Sequence, residues 1–560
     1  MEYQNKDKSI TLLIEKSIKE HWNGDALSNY QGATLRYSDV AVQIEKLHIM
    51  FEYAGIKAGD NIALCGRNCS NWGVAFLATI TYGAIAVPIL HDFKADQVLN
   101  ILDHSESKML IVGDIVWKSL SQYKDNIKEN VSIVSLVDFE IIRTDSDQLT
   151  YASNNLNLLF GQKYPKQFTP DDVHYIINSG DDLAIINYTS GSTGNSKGVM
   201  IPQRALWNNV QFLIDELHDI LHVGDSVVSI LPMAHMYGLA FEFLSEMATG
   251  MHVYFLNRLS PTLIFKAFSE IKPLLIVSVP LIIEKAVRKM VMPKMEDIRI
   301  RTLLHLPVIN QKVKDGIRDK LKEAFGGRYF EIIVGGAAFS SDVENLLKEI
   351  GLNYTVGYGA TECAPLITYA DWREYKAGSC GKIMPRMEMK IDSNDPQNTV
   401  GEILIKGDNV MLGYFKNENA TKEALDNEGW FHTGDLGVID ADGFLFIRGR
   451  SKNMLLGPNG QNIYPEEIED KLNAMPLVAE SVVIQKNSKL YGLIYPDFEQ
   501  AKLLEIAPED IPAQLDAARK EVNQELPAYE QISGIKVMTE EFEKTPKKSI
   551  KRYLYFNEEV

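Results

Sequence analysis

Apolar positions fall into two textures along the chain. Up to about residue 380, short apolar runs alternate with helix-length amphipathic segments. Residues 39–54 carry apolar side chains at helical spacing and predict an amphipathic helix. Residues 60–64, 109–112, 183–187, 226–231, 274–279 and 332–334 are short apolar runs that read as strands. The alternation predicts an α/β architecture with buried parallel strands. Past residue 380 the helical stretches thin out. Residues 387–391, 401–405, 436–440 and 444–447 read as strands separated by Gly and Asp turns, a β-rich subdomain. After Arg450 the pattern turns mixed again, with helices expected at 466–473 and 508–526 and strands at 481–485 and 491–495. The expected division is a large N-terminal domain over 1–450, β-rich from about 380, and a small mobile α+β domain over 451–560.

One uncharged run, residues 73–90, is long enough to raise the question of a membrane span. Gly83 near its middle and Pro88 near its end favour a buried helix running into a buried strand, which leaves at most peripheral membrane contact. A length of 560 residues exceeds what one hydrophobic core usually serves. The balance of 57 Lys and Arg against 75 Asp and Glu, a formal charge of -18, disfavours nucleic acid as a partner. The first twenty residues lack the basic segment and apolar core of a secretory leader. Cys65, Cys69, Cys363 and Cys380 form no C-x-x-C pair and read as four reduced thiols, so the expected location is cytoplasmic.

The sharpest local signal is the segment 188–198, Tyr-Thr-Ser-Gly-Ser-Thr-Gly-Asn-Ser-Lys-Gly, which follows an apolar strand. Its glycines allow tight turns that aim backbone N–H groups at phosphate oxygens. Thr189, Ser190, Ser192 and Thr193 add hydroxyl donors, and Lys197 adds a positive charge. It is neither a Walker loop, since Ser196 stands where the second glycine belongs, nor a dinucleotide fingerprint. Alone it indicates phosphate and little more.

Further motifs make it specific. Gly335-Gly-Ala-Ala-Phe-Ser340, Gly357-Tyr-Gly-Ala-Thr-Glu-Cys-Ala-Pro365, Gly429-Trp-Phe-His-Thr-Gly-Asp435, Gly449-Arg-Ser-Lys-Asn453 and Gly460-Gln-Asn-Ile-Tyr-Pro-Glu-Glu-Ile-Glu469 follow in that order. Together they resemble the adenylate-forming, AMP-binding superfamily from about residue 10 to the C-terminus. The 357–366 stretch and His235-Met-Tyr-Gly238 look most like fatty acyl-CoA synthetases. The resemblance implies a two-step ligase. ATP and a carboxylate, here a medium- or long-chain fatty acid, give acyl-AMP and pyrophosphate; the small domain then rotates and a thiol displaces AMP. Coenzyme A is the implied acceptor. A carrier-protein phosphopantetheine, and a nucleotide-binding homologue that has lost catalysis, are the alternatives.

Roles follow from the resemblance. Thr189, Ser190, Gly191, Ser192, Thr193, Gly194 and Lys197 would hold the β- and γ-phosphates. Gly336 and Ala337 would line the adenine slot, with Tyr358 and Gly359 beside it; a plain core aromatic is the other reading of Tyr358. Thr361 would donate to the α-phosphate, and Glu362 would bind Mg2+ together with phosphate oxygens. Asp435 would accept both ribose hydroxyls, and Arg450 would reach ribose or phosphate. His235 would form a wall between acyl and nucleotide sites, against the plainer reading of a satisfied core histidine. His218 and His222, four apart on an expected solvated helix face, lack a third metal ligand. Lys452 falls at the family's hinge, and Gly457, Gly460, Gln461 and Asn462 form the loop that rotation would bring to the site.

The chain departs from the family near its end. The family pattern T-P-x-G-K-[IL]-x-R appears here as Thr545-Pro-Lys-Lys-Ser-Ile-Lys-Arg552, with Ser549 at the position of the catalytic lysine. A hydroxyl cannot supply the positive charge that the α-phosphate needs. Lys548, one residue earlier, is the preferred substitute; Lys547, or loss of that charge, are the alternatives.

Overall fold

The fold is given by a computed structural model that describes residues 4–189, 196–217, 219–297, 299, 302–303, 305, 307–457, 461–544 and 550–560. An eight-stranded sheet organises the first half. Its order is Gly413–Tyr414, Lys197–Pro202, Leu183–Thr189, Ile85–Ile89, Asn61–Cys65, Met109–Val112, Ser132–Ser135 and Ile141–Arg143. The central strands run parallel, and Ile85–Ile89 and Met109–Val112 are buried along their whole length, as strands covered on both faces must be. Both margins depart from the parallel expectation. Lys197–Pro202 returns antiparallel beside Leu183–Thr189, and Ile141–Arg143 lies antiparallel to Ser132–Ser135. The Lys-Gly start and Pro end of 197–202 hid that strand in the sequence.

A second sheet combines Ser226–Ser229, His252–Phe255, Asp25–Asn29 and Thr34–Arg36. Three parallel strands, Leu275–Ser278, Glu331–Val334 and Tyr354–Val356, form a third. The β-rich part is a four-stranded antiparallel sheet of Met387–Asp392, Gly401–Gly407, Phe431–Ile439 and Leu445–Arg450. The C-terminal part packs helices Pro465–Asn473 and Ile511–Glu525 on a sheet of Val478–Lys486, Lys489–Pro496 and Ile532–Val537. The large apolar core reaches Leu445, and a separate small core begins at Ile463. Where the two parts meet, the Asp470 carboxylate lies beside Ser341, the first residue of helix Ser341–Ile350, where a negative charge complements the helix N-terminus.

The uncharged run resolves into helix Ser70–Thr81 and strand Ile85–Ile89. The helix is buried nearly all round; Trp72 stacks on Phe76, and Gly73 lies against the Phe243 ring. Twelve residues reach about 18 Å, short of the roughly 30 Å a bilayer core requires. Among the described residues no helix is long and apolar enough to cross a membrane. Helix Gln203–Leu217 ends before His222, whose amide donates to Asp225 at 2.8 Å in the following turn, so the expected helical face at 218–222 does not form at His222. His218 itself lies outside the described residues.

Helix Ser245–Thr249 buries Glu246 with both carboxyl oxygens unpartnered among the described residues. Burial pushes this carboxyl up from 4.5 to about 8. The folded chain therefore holds a proton that the unfolded chain releases near 4.5. The stability this proton confers is complete below about 4.5 and is lost as pH rises through about 8. Glu246→Gln should flatten the fall in Tm between those limits; thermal melts across that range, wild type against variant, check it.

Candidate active site

The cross-strand pair Thr189 and Lys197 fixes both ends of the Gly-rich loop. Ser190, Gly191, Ser192, Thr193 and Gly194 lie outside the described residues, as do Gly460, Lys547, Lys548 and Ser549. Strand Gly413–Tyr414 adds to the outer side of Lys197–Pro202, and the Phe415 amide donates to the Gly198 carbonyl at 2.7 Å. This seats the Tyr414 ring 4.7 Å from Lys197 Nζ, a cation–π contact. The Tyr414 hydroxyl donates to Glu362 Oε1 at 2.9 Å. Lys197 and Glu362, 165 residues apart in sequence, thus meet around one tyrosine ring.

Glu362 sits in a single helical turn, Thr361–Cys363, in which Thr361 is buried. Buried Asn209 clasps the segment from behind: it donates to the Cys363 carbonyl at 3.4 Å and accepts from the Leu366 amide at 3.0 Å. Gly359 allows a close approach here, since a Cβ would stand 2.3 Å from the Pro365 carbonyl oxygen. Among the described residues no cluster of three His, Cys, Asp or Glu side chains suits a metal. Glu362 instead offers one hard oxygen donor group, the set a hydrated Mg2+ shared with phosphates requires.

Strands Glu331–Val334 and Tyr354–Val356 run parallel, and the Gly357 amide donates to the Val334 carbonyl at 2.9 Å. Their C-terminal ends therefore bring Gly336, Ala337 and Tyr358 to one crest, where open α/β sheets take ligands. Gly336 has φ +88°, a conformation glycine adopts without strain, and Ala337 is exposed beside it. The buried Tyr358 hydroxyl donates to Asp435 Oδ2 at 2.6 Å. Arg450, directly across the strand pair, places Nε 2.9 Å from Asp435 Oδ1. Burial raises the Asp435 carboxyl, while Arg450 and the Tyr358 hydrogen bond pull it down.

His235 is half-exposed at the start of the short helix Met236–Leu239. Buried Asn187 and Glu242 and half-buried Asn68 hold the loop before it. Asn187 donates to the Ala234 carbonyl at 2.9 Å, Asn68 accepts from the Met233 amide at 2.9 Å, and Glu242 accepts from the Leu231 amide at 2.8 Å. Beyond His235 an apolar pocket opens, walled by Phe212, Leu213, Tyr237, Phe241, Ile333 and Tyr369. The Tyr237 hydroxyl donates to the Ile333 carbonyl at 3.1 Å, tying the pocket wall to the strand that leads into Gly335.

Lys452 is exposed in the turn between the two cores, and the next residue, Asn453, donates to Glu466 Oε1 at 2.5 Å. Near the C-terminus Lys544 and Ile550 pair antiparallel, and Arg552 forms a two-pronged ion pair with buried Glu469, 2.7 Å to Oε1.

Residues 14–415 match the AMP-binding enzyme family, and residues 453–558 match the AMP-binding enzyme C-terminal domain. The chain belongs to the AMP-binding enzyme family. It is 27% identical over 569 residues to a long-chain-fatty-acid–CoA ligase of Mycobacterium bovis, covering 92% of this chain and 89% of that protein. It is 29% identical to a probable 4-coumarate–CoA ligase of Dictyostelium discoideum, covering 85% and 83%. In fold it resembles an anthranilate CoA ligase bound to anthranoyl-AMP, with TM-score 0.77 and 19% identity over 98% of this chain and 96% of the other. The o-succinylbenzoate CoA synthetase of Bacillus subtilis with ATP and magnesium gives TM-score 0.73 and 20% identity, covering 97% and 98%.

The AMP-binding motifs thus converge: Lys197 with Glu362, Tyr358 with Asp435 and Arg450, and Gly336 and Ala337 beside Tyr358. Tyr414 and Asn209 were not found from sequence. Tyr414 follows Gly413, whose φ is +135°, and a Gly–aromatic step is a weak signal by itself. Asn209 looks like any polar helix residue until the partner strand is known. Arg552→Met should destabilise the small domain by about 3–5 kcal/mol, because it strands the buried Glu469 carboxylate. Adding Glu469→Gln should recover most of that loss; denaturant melts of both variants check the expectation.

Proposed function

We propose that this AMP-binding enzyme activates a medium- or long-chain fatty acid and transfers the acyl group to coenzyme A. The coarser activity, ATP-dependent and AMP-forming ligation of an acid to a thiol, is that of its family. The observation carrying the finer reading is the apolar lining of the narrow pocket between Tyr237 and Tyr369, about 20 Å³ in volume, whose Tyr237 wall lies against Gly335; an aliphatic tail enters by parting those side chains. In the first step a carboxylate oxygen attacks the α-phosphorus and pyrophosphate leaves. In the second a thiol sulfur attacks the acyl carbon and AMP leaves.

On this reading Thr189 through Lys197 cradle the outer phosphates and Thr361 donates to the α-phosphate. Glu362 holds the magnesium, which supplies positive charge beside the phosphates when bound, and Tyr414 orients Glu362 from the side. Tyr358 lies along adenine between Gly336 and Gly359. Asp435 accepts the ribose hydroxyls, with Arg450 turning from the carboxylate toward nucleotide. His235 stands between acyl and nucleotide sites. Lys452 is the hinge of a boundary at 450/451; the two separate cores support rotation there. Gly460 belongs to the loop brought in by rotation, and Lys548 supplies the charge missing at Ser549. Coenzyme A is favoured over carrier protein as acceptor, in keeping with the names of the curated relatives. A cytoplasmic setting fits the four unpaired thiols.

Pyrophosphate release across saturated acids should rise about fourfold in kcat/KM per added CH₂ until the pocket is full. Preference for acetate or an amino acid would overturn the fatty-acid reading. Asp435→Ala should raise the KM for ATP about ten- to a hundredfold. Tyr414→Phe should raise the magnesium requirement several-fold with little change in Tm, since one hydrogen bond to Glu362 is lost; a magnesium titration of initial rate reads it. Lys548→Ala should abolish adenylation yet spare thioester formation from supplied acyl-AMP.

A further inference from the structure

Among the described residues Glu216 is the one charged side chain lining the apolar pocket. It stands on the last turn of helix Gln203–Leu217, four residues after Phe212 and so on the same helix face. Glu216 is exposed, so the pocket meets solvent at this end. Its acidic neighbours are Asp371, Asp215 and Glu374. Each of these has its own cation: Arg373 at 2.6 Å from Asp371, Arg386 at 3.2 Å from Asp215 and Lys382 at 3.7 Å from Glu374. Among the described residues Glu216 has neither a hydrogen bond nor an ion pair. Partial desolvation against the apolar walls and the three neighbouring carboxylates raise its carboxyl, so this end of the pocket disfavours added negative charge.

We propose that Glu216 is a specificity-determining residue that admits acids with uncharged tails and rejects acids carrying a second carboxylate at the tail. The proposal rests on the pocket being the acyl site, as read above. A tail lying along Tyr237 and Phe241 ends against the Glu216 face of the helix. A neutral methyl end meets only apolar walls there, or leaves past Glu216 into solvent. A terminal carboxylate is brought beside an ionised carboxylate with no unengaged cation among the described neighbours, and the apolar walls screen the repulsion less than water does. The selection works by repulsion of the wrong substrate rather than by an added contact to the right one.

The test compares kcat/KM for saturated monocarboxylic acids and α,ω-dicarboxylic acids of equal length, in wild type, Glu216→Gln and Glu216→Ala. In both variants the ratio of dicarboxylic to monocarboxylic kcat/KM should rise at least about tenfold. Raising salt from about 0.02 M to about 0.5 M should narrow the wild-type discrimination and leave that of the variants nearly flat. An unchanged ratio in both variants overturns the proposal. Where dicarboxylic turnover is too slow to measure in every form, inhibition of monocarboxylate turnover by the dicarboxylic acid is read the same way. Wild type active on fatty acids with an unshifted ratio defeats Glu216 alone; wild type inactive on every aliphatic acid defeats the pocket assignment and Glu216 with it.

Discussion

The buried carboxylate of Asp435 is the constraint on which the site depends. Taking an ionised carboxylate out of water costs several kcal/mol unless partners replace the lost hydration. Here one oxygen meets the Tyr358 hydroxyl and the other meets Arg450. Those partners come from the hairpin after the parallel strands and from the last strand of the β-rich sheet. The charge can be satisfied only when both subdomains are docked. A single acid therefore enforces the alignment of the crest at Gly336 with the sheet that leads into the small domain. On the reading proposed above, ribose hydroxyls would have to offer Asp435 what the protein already offers it.

A second meeting point has the same logic with weaker forces. Tyr414 presents its ring to Lys197 and its hydroxyl to Glu362, so one side chain from an edge strand aligns a cation and an anion that belong to different motifs. The strand carrying Tyr414 is two residues long, and its position comes from pairing with the return strand of the Gly-rich hairpin. The hairpin's second strand thus does more than close the loop; it is the template on which the Glu362 support assembles.

Much of this was legible in the sequence, for identifiable reasons. Buried parallel strands such as Met109–Val112 announce themselves as uninterrupted apolar runs; the limits of that strand were read correctly, while others shifted by one or two residues at an end. Strand 197–202 was missed because its first residues look like loop, and strand Asp25–Asn29 because it is short and polar at both ends. Motif order pointed to Gly336, Tyr358, Glu362 and Asp435 as candidates for one site. It could not reveal that Asp435 and Arg450 are cross-strand neighbours, because register depends on a bulge between Leu436 and Gly437. Asn68, Asn187 and Glu242, which hold the loop before His235, carry no local signature: a buried polar group becomes meaningful only when the backbone it satisfies is known. At the C-terminus the spacing suggested a catalytic motif, and what the described residues reveal there is its anchor, Arg552 on Glu469.

The helix Ser70–Thr81 has a consequence for biosynthesis. Its buried faces are covered in part by Phe243, which lies roughly 170 residues further along the chain. At ribosomal speeds of about 5–20 residues per second, that interval lasts roughly 10–30 s. Throughout it an all-round apolar helix has emerged without the ring that will cover it. The segment that resembles a membrane span in sequence is therefore open to premature association during synthesis until Phe243 arrives.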